Sequence, residues 1–184
     1  SEKDFFFLPN HYWVHKNHIV VLKALTINKK KINYQIVSTG NFSDHRHPNH
    51  TDKIKKFIDY NNLKKDYLIL KVIPYIDMIS LLYHSISLIN PSKSEGWSNT
   101  VEQAKAMNKN LIISNIKVHR EQRNKKTKIF NPENFVNLRK ILEKEYSNFS
   151  KRKIKKSKDY TEYNKKLGNN FVSNYEKKIL KKLI

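Results

Sequence analysis

Apolar positions along this chain fall into two kinds of run, and the two kinds alternate. Phe5 to Pro9 of "DFFFLP" (4–9) is apolar without interruption and too short for a helix, so it predicts a buried strand. "NYQIVSTG" (33–40), "DYLILKVIP" (66–74), "ISLINP" (86–91) and "NLIISN" (110–115) read the same way, and "KIFN" (128–131) adds a sixth strand. Helical spacing fills the intervals. "HKNHIVVLKALTINKK" (15–30) sets Ile19, Val20, Leu22, Ala24, Leu25 and Ile27 at helical intervals. "TDKIKKFIDYNN" (51–62) is amphipathic, with Thr51 or Asp52 as its cap. "IDMISLLYHS" (76–85) places Met78, Leu81 and Leu82 on one face. After the fourth strand come a loop and a helix over about 99–108. "KVHREQ" (117–122) forms a short helical turn, and "PENFVNLRKILEKEY" (132–146) a helix with Pro132 near its start.

Strands and helices therefore alternate, and the strands are continuous rather than alternating in polarity. That combination predicts an α/β fold of three layers, a parallel sheet covered by helices on both faces. Ligands of such sheets bind beyond the carboxyl ends of the strands, where the strand order reverses. Gly40 and Gly96, two of only three glycines, lie at such ends, as does the segment 10–15 after the first strand. The tail reads differently. Residues 147–159, with "FSKRKIKKSKD", form a basic linker. Over 160–184, Tyr163, Leu167, Phe171, Tyr175, Ile179 and Leu183 recur every four residues, which predicts an amphipathic C-terminal helix that needs a partner surface. The expected division is a ligand-binding domain over 1–146, the linker, and that helix.

Composition narrows the partners. Lys and Arg number 37 against 16 Asp and Glu, a formal net charge of +21. Charge of this size attracts polyanions: nucleic acid, an anionic membrane surface or phosphate-bearing ligands. A coding bias toward Lys, Asn and Ile would produce much of the same excess. Cysteine is absent, which excludes disulfides and thiolate metal sites. No segment resembles a signal peptide, and no apolar run approaches the roughly 18 residues of a spanning helix. The expected location is the cytoplasm, with peripheral contact at the inner face of the membrane through the basic linker. The chain enters its first strand almost at once, which suggests one half of a longer protein.

Candidate chemistry gathers at the strand ends. In "SEGWSNT" (94–100), any of Ser98, Asn99 and Thr100 could cap the following helix, whose N-terminal amides would then face an anion such as phosphate. Gly96 removes a side chain so that a ligand can approach the backbone. Glu95 is placed to accept hydrogen bonds from sugar-like hydroxyls. A plain capped turn competes with this reading, because Asn99 with Glu102, or Thr100 with Gln103, has capping-box spacing. In "NHYWVHKNH" (10–18), Lys16 falls at the first turn of a helix, where the dipole disfavours it unless an anion is present. It would aim at the same phosphate as the 98–100 amides. His45, His47 and His50 cluster in "DHRHPNH" (44–50), but Pro48 breaks any regular ligand geometry, so a solvated loop is the reading there, and no metal is expected.

The order "LPNHYWVHKNHIVVLKAL", "SEGWSNTVEQAKAM", "SNIKVHREQ", "FNPENF" resembles the C-terminal, donor-binding half of a GT-B glycosyltransferase of the family 4 type, from about Phe5 to Tyr146. The resemblance implies a Rossmann-like domain that binds a UDP- or GDP-sugar with no cofactor and no metal. It implies retaining transfer by front-face displacement, in which the departing phosphate helps to deprotonate the acceptor. Lys16 matches a lysine on the donor diphosphate and Glu95 an acid on the donor sugar; these two are the implied catalytic residues. The implied donor-binding set is His11, Lys16, Gly40, Tyr75, Glu95, Gly96, Trp97, Ser98, Asn99, Thr100, Glu102 and Gln103. Five positions depart from the pattern, among them Asn108 and Asn110, which flank a helix-to-strand turn where Gly and Pro are common. The second acid of the family's E-x(7)-E motif, which holds the ribose, falls on Gln103, with Glu102 one residue early. His11 stands where an arginine is common, and Lys117 where a proline is frequent.

The family's acceptor-binding half would precede residue 1. The resemblance therefore implies a saccharide or lipid-linked acceptor in cell-surface glycan synthesis, an acceptor domain or partner chain to hold it, and no transfer by this chain alone. Two other readings stand beside it. One is a basic nucleic-acid-binding module, against which the aromatics are not interleaved with the basic runs and no recognition motif appears. The other is a non-catalytic partner subunit of the same fold, which the departures at Gln103 and His11 would fit.

Overall fold

The computed structural model describes residues 3–28 and 32–167, with side chains as far as residue 153. Six parallel strands form one sheet: β1 (Phe5–Pro9), β2 (Gln35–Thr39), β3 (Tyr67–Ile69), β4 (Ser87–Asn90), β5 (Asn110–Ser114) and β6 (Thr127–Phe130). Their order across the sheet is β3-β2-β1-β4-β5-β6. Helices α1 (His18–Thr26), α2 (His50–Tyr60), α3 (Tyr75–His84), α4 (Asn99–Ala106), α5 (Lys117–Gln122) and α6 (Phe135–Leu167) separate or follow the strands. This is the Rossmann-like α/β sandwich that the alternation predicts. The chain moves outward from β1 in one direction and from β4 in the other, so right-handed crossovers put the two sets of helices on opposite faces.

Burial confirms the double cover. Successive residues of a strand point to opposite faces, yet Phe6, Phe7 and Leu8 are all fully buried, as are Leu111, Ile112 and Ile113. On one face Leu82 of α3 and Val101 and Ala104 of α4 pack against Phe7, Val37, Leu88, Leu111 and Ile113. Each such large side chain contributes about 1.5–3 kcal/mol by leaving water. Glycine is scarce, and asparagine does its work at helix ends. Asn62 and Asn108 adopt left-handed φ of 50° and 56°. After α2, Leu63 N–H donates to Ile58 O at 2.9 Å; after α4, Lys109 N–H donates to Ala104 O at 2.9 Å. Both are helix closures that need a residue tolerant of positive φ.

Several elements differ from the sequence expectation. The helix expected over 15–30 is a 3-10 turn (Val14–Lys16) followed by α1, split by Asn17 at φ 57°. Lys16 thus ends the turn instead of opening the helix. The strand expected over 66–74 pairs with β2 only from Tyr67 to Ile69, and Lys71 turns the chain at φ 55°. α2 begins at His50 after Asn49, so neither Thr51 nor Asp52 caps it, and no side chain bonds that helix start. Residues 147–159, read as a linker, are helical, because α6 continues unbroken to Leu167. Two compact units divide at Tyr146 and Ser147. Tyr163 and Leu167 lie in the helical part of the second, and the rest of the predicted C-terminal stripe, from Phe171, lies outside the described residues. No helix among the described residues is long and apolar enough to cross a membrane.

Candidate active site

Strand order reverses between β1 and β4, which pair at Phe7 and Leu88. The two strands part company at their carboxyl ends, and the loops that leave them form a cleft of about 470 Å³. Gly40 closes its floor beside β1. A Cβ there would lie 2.6 Å from Asn10 O, and its φ is 133°, so only glycine lets the end of β2 sit this close to β1. The β1 loop is then pinned from several sides. Tyr12, fully buried, stacks on His18 with ring centroids 4.0 Å apart. His18 Nε2–H donates to His11 O at 3.1 Å, which leaves Nδ1 to accept Tyr67 O–H at 2.7 Å. Tyr12 O–H is bonded to Ser38 Oγ, which donates onward to Leu68 O at 3.1 Å. Burial drives the His18 pKa down to about 3, so the ring is neutral and this tautomer is fixed.

Asn17 completes the pinning. Its Nδ2 donates to Pro91 O at 3.0 Å and to Pro132 O at 2.9 Å. These bonds hold the left-handed kink that turns Lys16 toward the β4 loop. Lys16 Nζ there meets Glu95 at 2.8 Å from Oε1 and 2.7 Å from Oε2, with the side chains only 14% and 8% exposed. Two residues 79 positions apart thus form a largely desolvated ion pair. Ser92 Oγ lies 2.7 Å from Glu95 Oε1, and Asn90 Nδ2 donates to it at 3.3 Å. Burial pushes the Glu95 carboxyl up, but the bonds from Lys16 and Ser92, the Lys16 charge and the Asn90 bond outweigh it and hold the pKa below the usual value. The pair retains capacity. An ammonium has three N–H groups, of which Glu95 takes two, and Oε2 has one bond where Oε1 has three.

The third component is the start of α4. Ser98 precedes its first residue, but no side chain caps the helix. Ser98 Oγ instead accepts from Asn90 Nδ2 at 3.0 Å and lies 3.2 Å from Thr100 Oγ1. The expectation of a capping box is therefore not met. Glu102 bonds Lys105 Nζ at 3.0 Å and Gln122 Nε2 at 2.9 Å and tethers α4 to α5. Ser98, Asn99 and Thr100 line the cleft, so the first amides of α4, with the dipole behind them, open into it. Among the described residues no atom lies within 4 Å of where a Gly96 Cβ would stand, so none of them demands a glycine there.

Nine of the twelve donor-binding residues expected from sequence line this one cleft: His11, Lys16, Gly40, Tyr75, Glu95, Trp97, Ser98, Asn99 and Thr100. Gly96 stands beside them. Gln103 reaches the rim through Nε2, which donates to the cleft residue Tyr75 Oη at 3.3 Å, and its buried Oε1 has no partner among the described residues. Glu102 faces α5 instead. His11 Nδ1 accepts Asn41 N–H at 2.9 Å, which leaves Nε2 as the nitrogen that carries the proton of the neutral ring. Asn10, Asn17, Asn90, Ser92 and Gln122 were not among the sequence candidates; the one available signal was a polar residue closing an apolar strand run, as in "SLINP". Among the described residues no group of three or more His, Cys, Asp or Glu is arranged to hold a metal ion.

Solved structures share this fold. A glycosyltransferase from Rickettsia africae ESF-5 is 25% identical, with a TM-score of 0.69 over 80% of this chain and 38% of its own. Anabaena Alr3699/HepE, solved in complex with UDP, is 11% identical, with a TM-score of 0.72 over 80% of this chain and 40% of its own. Sucrose-phosphate synthase from Thermosynechococcus elongatus is 13% identical, with a TM-score of 0.70 over 79% and 36%. The chain thus spans less than half the length of each, and at 11% and 13% identity the likeness is one of fold. No curated protein matches in sequence. The sequence profile of glycosyl transferases group 1 matches residues 1–167, and with nearly the whole chain covered, the protein belongs to that family.

Proposed function

We propose that the chain is the C-terminal, donor-binding half of a GT-B glycosyltransferase of the family 4 type, which holds a UDP- or GDP-sugar for retaining transfer. The observation that carries the reading is the meeting of Lys16, Glu95 and the open start of α4 around one cleft at the reversal of strand order. The third N–H of Lys16 and the α4 amides suit a diphosphate, and the second oxygen of Glu95 suits sugar hydroxyls. Anabaena Alr3699/HepE, a fold neighbour, was also solved with UDP-glucose, which supports this ligand class.

In the proposed reaction the bond between the anomeric carbon and the diphosphate breaks and the acceptor oxygen forms its bond on the same face. The acceptor proton passes to an oxygen of the leaving phosphate. Lys16 and the α4 amides stabilise the charge that develops there, which is the protein's main contribution. His11, with Nε2–H, and Tyr75 and Trp97 complete the donor cleft, and Gln103 stands in for an acid on the ribose. No metal and no cofactor takes part. The acceptor, a saccharide or a lipid-linked glycan of the cell surface, is held by an acceptor half or partner chain against the cytoplasmic face of the membrane.

Calorimetry with UDP, GDP and their sugars tests this. The 184-residue chain binds one donor and transfers nothing, because orientation of an acceptor supplies much of the rate. Lys16→Ala weakens nucleoside-diphosphate binding by on the order of 1.5–3 kcal/mol, the value of a charge-assisted hydrogen bond. Glu95→Ala weakens the nucleotide-sugar more than the nucleotide, and Glu102→Ala lowers the melting temperature while binding holds. Unchanged affinity in Lys16→Ala removes Lys16 from the site, and sugar transfer by the chain alone overturns the need for an acceptor half.

A further inference from the structure

Asn90 is the last residue of β4, 1% exposed, and lies beneath the cleft instead of in its wall. The three residues before it, Ser87, Leu88 and Ile89, are fully buried, so position 90 ends a strand that is closed off from solvent. A buried amide costs free energy unless its bonds are made, so its partners decide what it is for.

They also fix which way the amide points. Ser92 N–H can only donate, and it reaches Asn90 Oδ1 at 3.3 Å. The Glu95 carboxylate can only accept, and it faces Asn90 Nδ2 at 3.3 Å. The amide therefore has one orientation. Nδ2 divides its two hydrogens between Glu95 Oε1 and Ser98 Oγ, the latter at 3.0 Å. Oδ1 also receives Asn10 Nδ2, across the reversal of strand order, at 3.1 Å. Ser92 Oγ lies 2.7 Å from both Asn90 Oδ1 and Glu95 Oε1; its single proton goes to the charged acceptor.

Three pieces of chain thus meet on one side chain: the β1 loop at Asn10, the β4 loop at Ser92 and Glu95, and the start of α4 at Ser98. Among the described residues Asn90 alone bonds both Glu95 and Ser98. We infer that Asn90 is a positioning residue that locks the acid at the sugar end of the site to the helix start at its phosphate end, so that the two ends of a nucleotide-sugar are read as one rigid unit. The inference rests on the donor-binding reading above.

Asn90→Asp keeps the shape and turns the two donors into acceptors. It sets a second carboxylate against Glu95, and two carboxylates in contact share one proton below a raised apparent pKa. The titration uses UDP-glucose or GDP-mannose, whichever the wild-type chain binds, because a sugar-capped diphosphate does not itself titrate near neutrality. At pH 7.5 Asn90→Asp binds about tenfold more weakly than wild type, the effect of one lost charge-assisted bond with repulsion added. The ratio to wild type narrows as pH falls toward about 5, where the shared proton restores a donor between the two groups. Asn90→Leu loses affinity at every pH and shows no such recovery. Should Asn90→Leu fail to fold, the isosteric Asn90→Asp carries the test alone.

If wild type binds neither donor, the donor-binding reading itself has failed. If wild type binds and Asn90→Asp stays within twofold of it at pH 7.5, Asn90 positions nothing. A loss in Asn90→Asp that is the same at every pH, with a matching drop in melting temperature, makes Asn90 a packing residue and overturns the inference.

Discussion

Two glycines drew notice in the sequence for one reason and matter for two. Gly40 is required by the fold: its φ of 133° and the 2.6 Å approach of a Cβ to Asn10 O leave no room for a side chain. Gly40→Ala is expected to cost at least about 2 kcal/mol, from backbone strain and overlap with main chain that cannot yield, and a thermal melt reads it directly. At Gly96 the space is open, so Gly96→Ala leaves the melt unchanged; if that space belongs to the proposed ligand, the same change lowers nucleotide-sugar affinity. Equal melting losses in the two variants would mean that Gly96 is also structural. Position near a strand end made Gly40, Lys16, Glu95 and 98–100 legible. A polar residue closing an apolar run was the only local mark of Asn10 and Asn90, and it could not give their bond, which spans 80 residues and exists only because β1 and β4 are neighbours.

Element boundaries moved wherever a distant group took hold of the backbone. Hydrophobic spacing runs through 15–30 as one helix, but Asn17 is held in left-handed geometry by Pro91 O and Pro132 O, and the helix starts after it. β3 ends at Ile69, because its pairing with β2 ends at Ser38. The opening of α1 carries a pH dependence that follows from His18. Its folded pKa of about 3 lies below the ordinary 6.5, so the native state keeps the ring neutral while the unfolded chain takes up a proton. The stability this contributes is complete above pH 6.5 and is lost as pH falls toward 3. Between pH 7 and pH 5 the loss from this one residue is about 2 kcal/mol. Urea unfolding at both values, with His18→Gln compared against wild type, measures it. A variant whose stability falls as steeply as wild type over this interval would show that the ring is charged in the native state.

At the scale of the whole molecule the net charge of +21 is the property left to explain. Lys151, Arg152 and Lys153 are exposed on the second compact unit. If this run is a membrane contact, the chain binds phosphatidylserine vesicles, ignores phosphatidylcholine, and releases as salt rises past the screening range. Replacing all three residues by Glu then weakens vesicle binding by about 3 kcal/mol or more in a sedimentation assay, at about 1 kcal/mol for each basic residue removed. Binding unaffected by the triple change would make the charge a diffuse compositional feature instead.

The sequence by itself determined the α/β alternation, the double cover of the sheet, the end of the sheet at which the site lies and most residues of the cleft. These follow from periodicity and from residues whose chemistry is local: an acid beside a glycine, small polar residues before a helix. Only the tertiary structure decided the order 3-2-1-4-5-6, and with it which strand ends adjoin. It set Lys16 in an ion pair with Glu95 instead of leaving it at a helix start, and it gave Glu102 to α5 and Gln103 to the cleft rim. It also made Asn90 the junction of the β1 loop, the β4 loop and the start of α4. The reason is common to all of these. A side chain's partner is whichever group the packing of the sheet brings within about 3 Å, and continuous apolar runs specify that strands are buried without specifying which strand lies beside which.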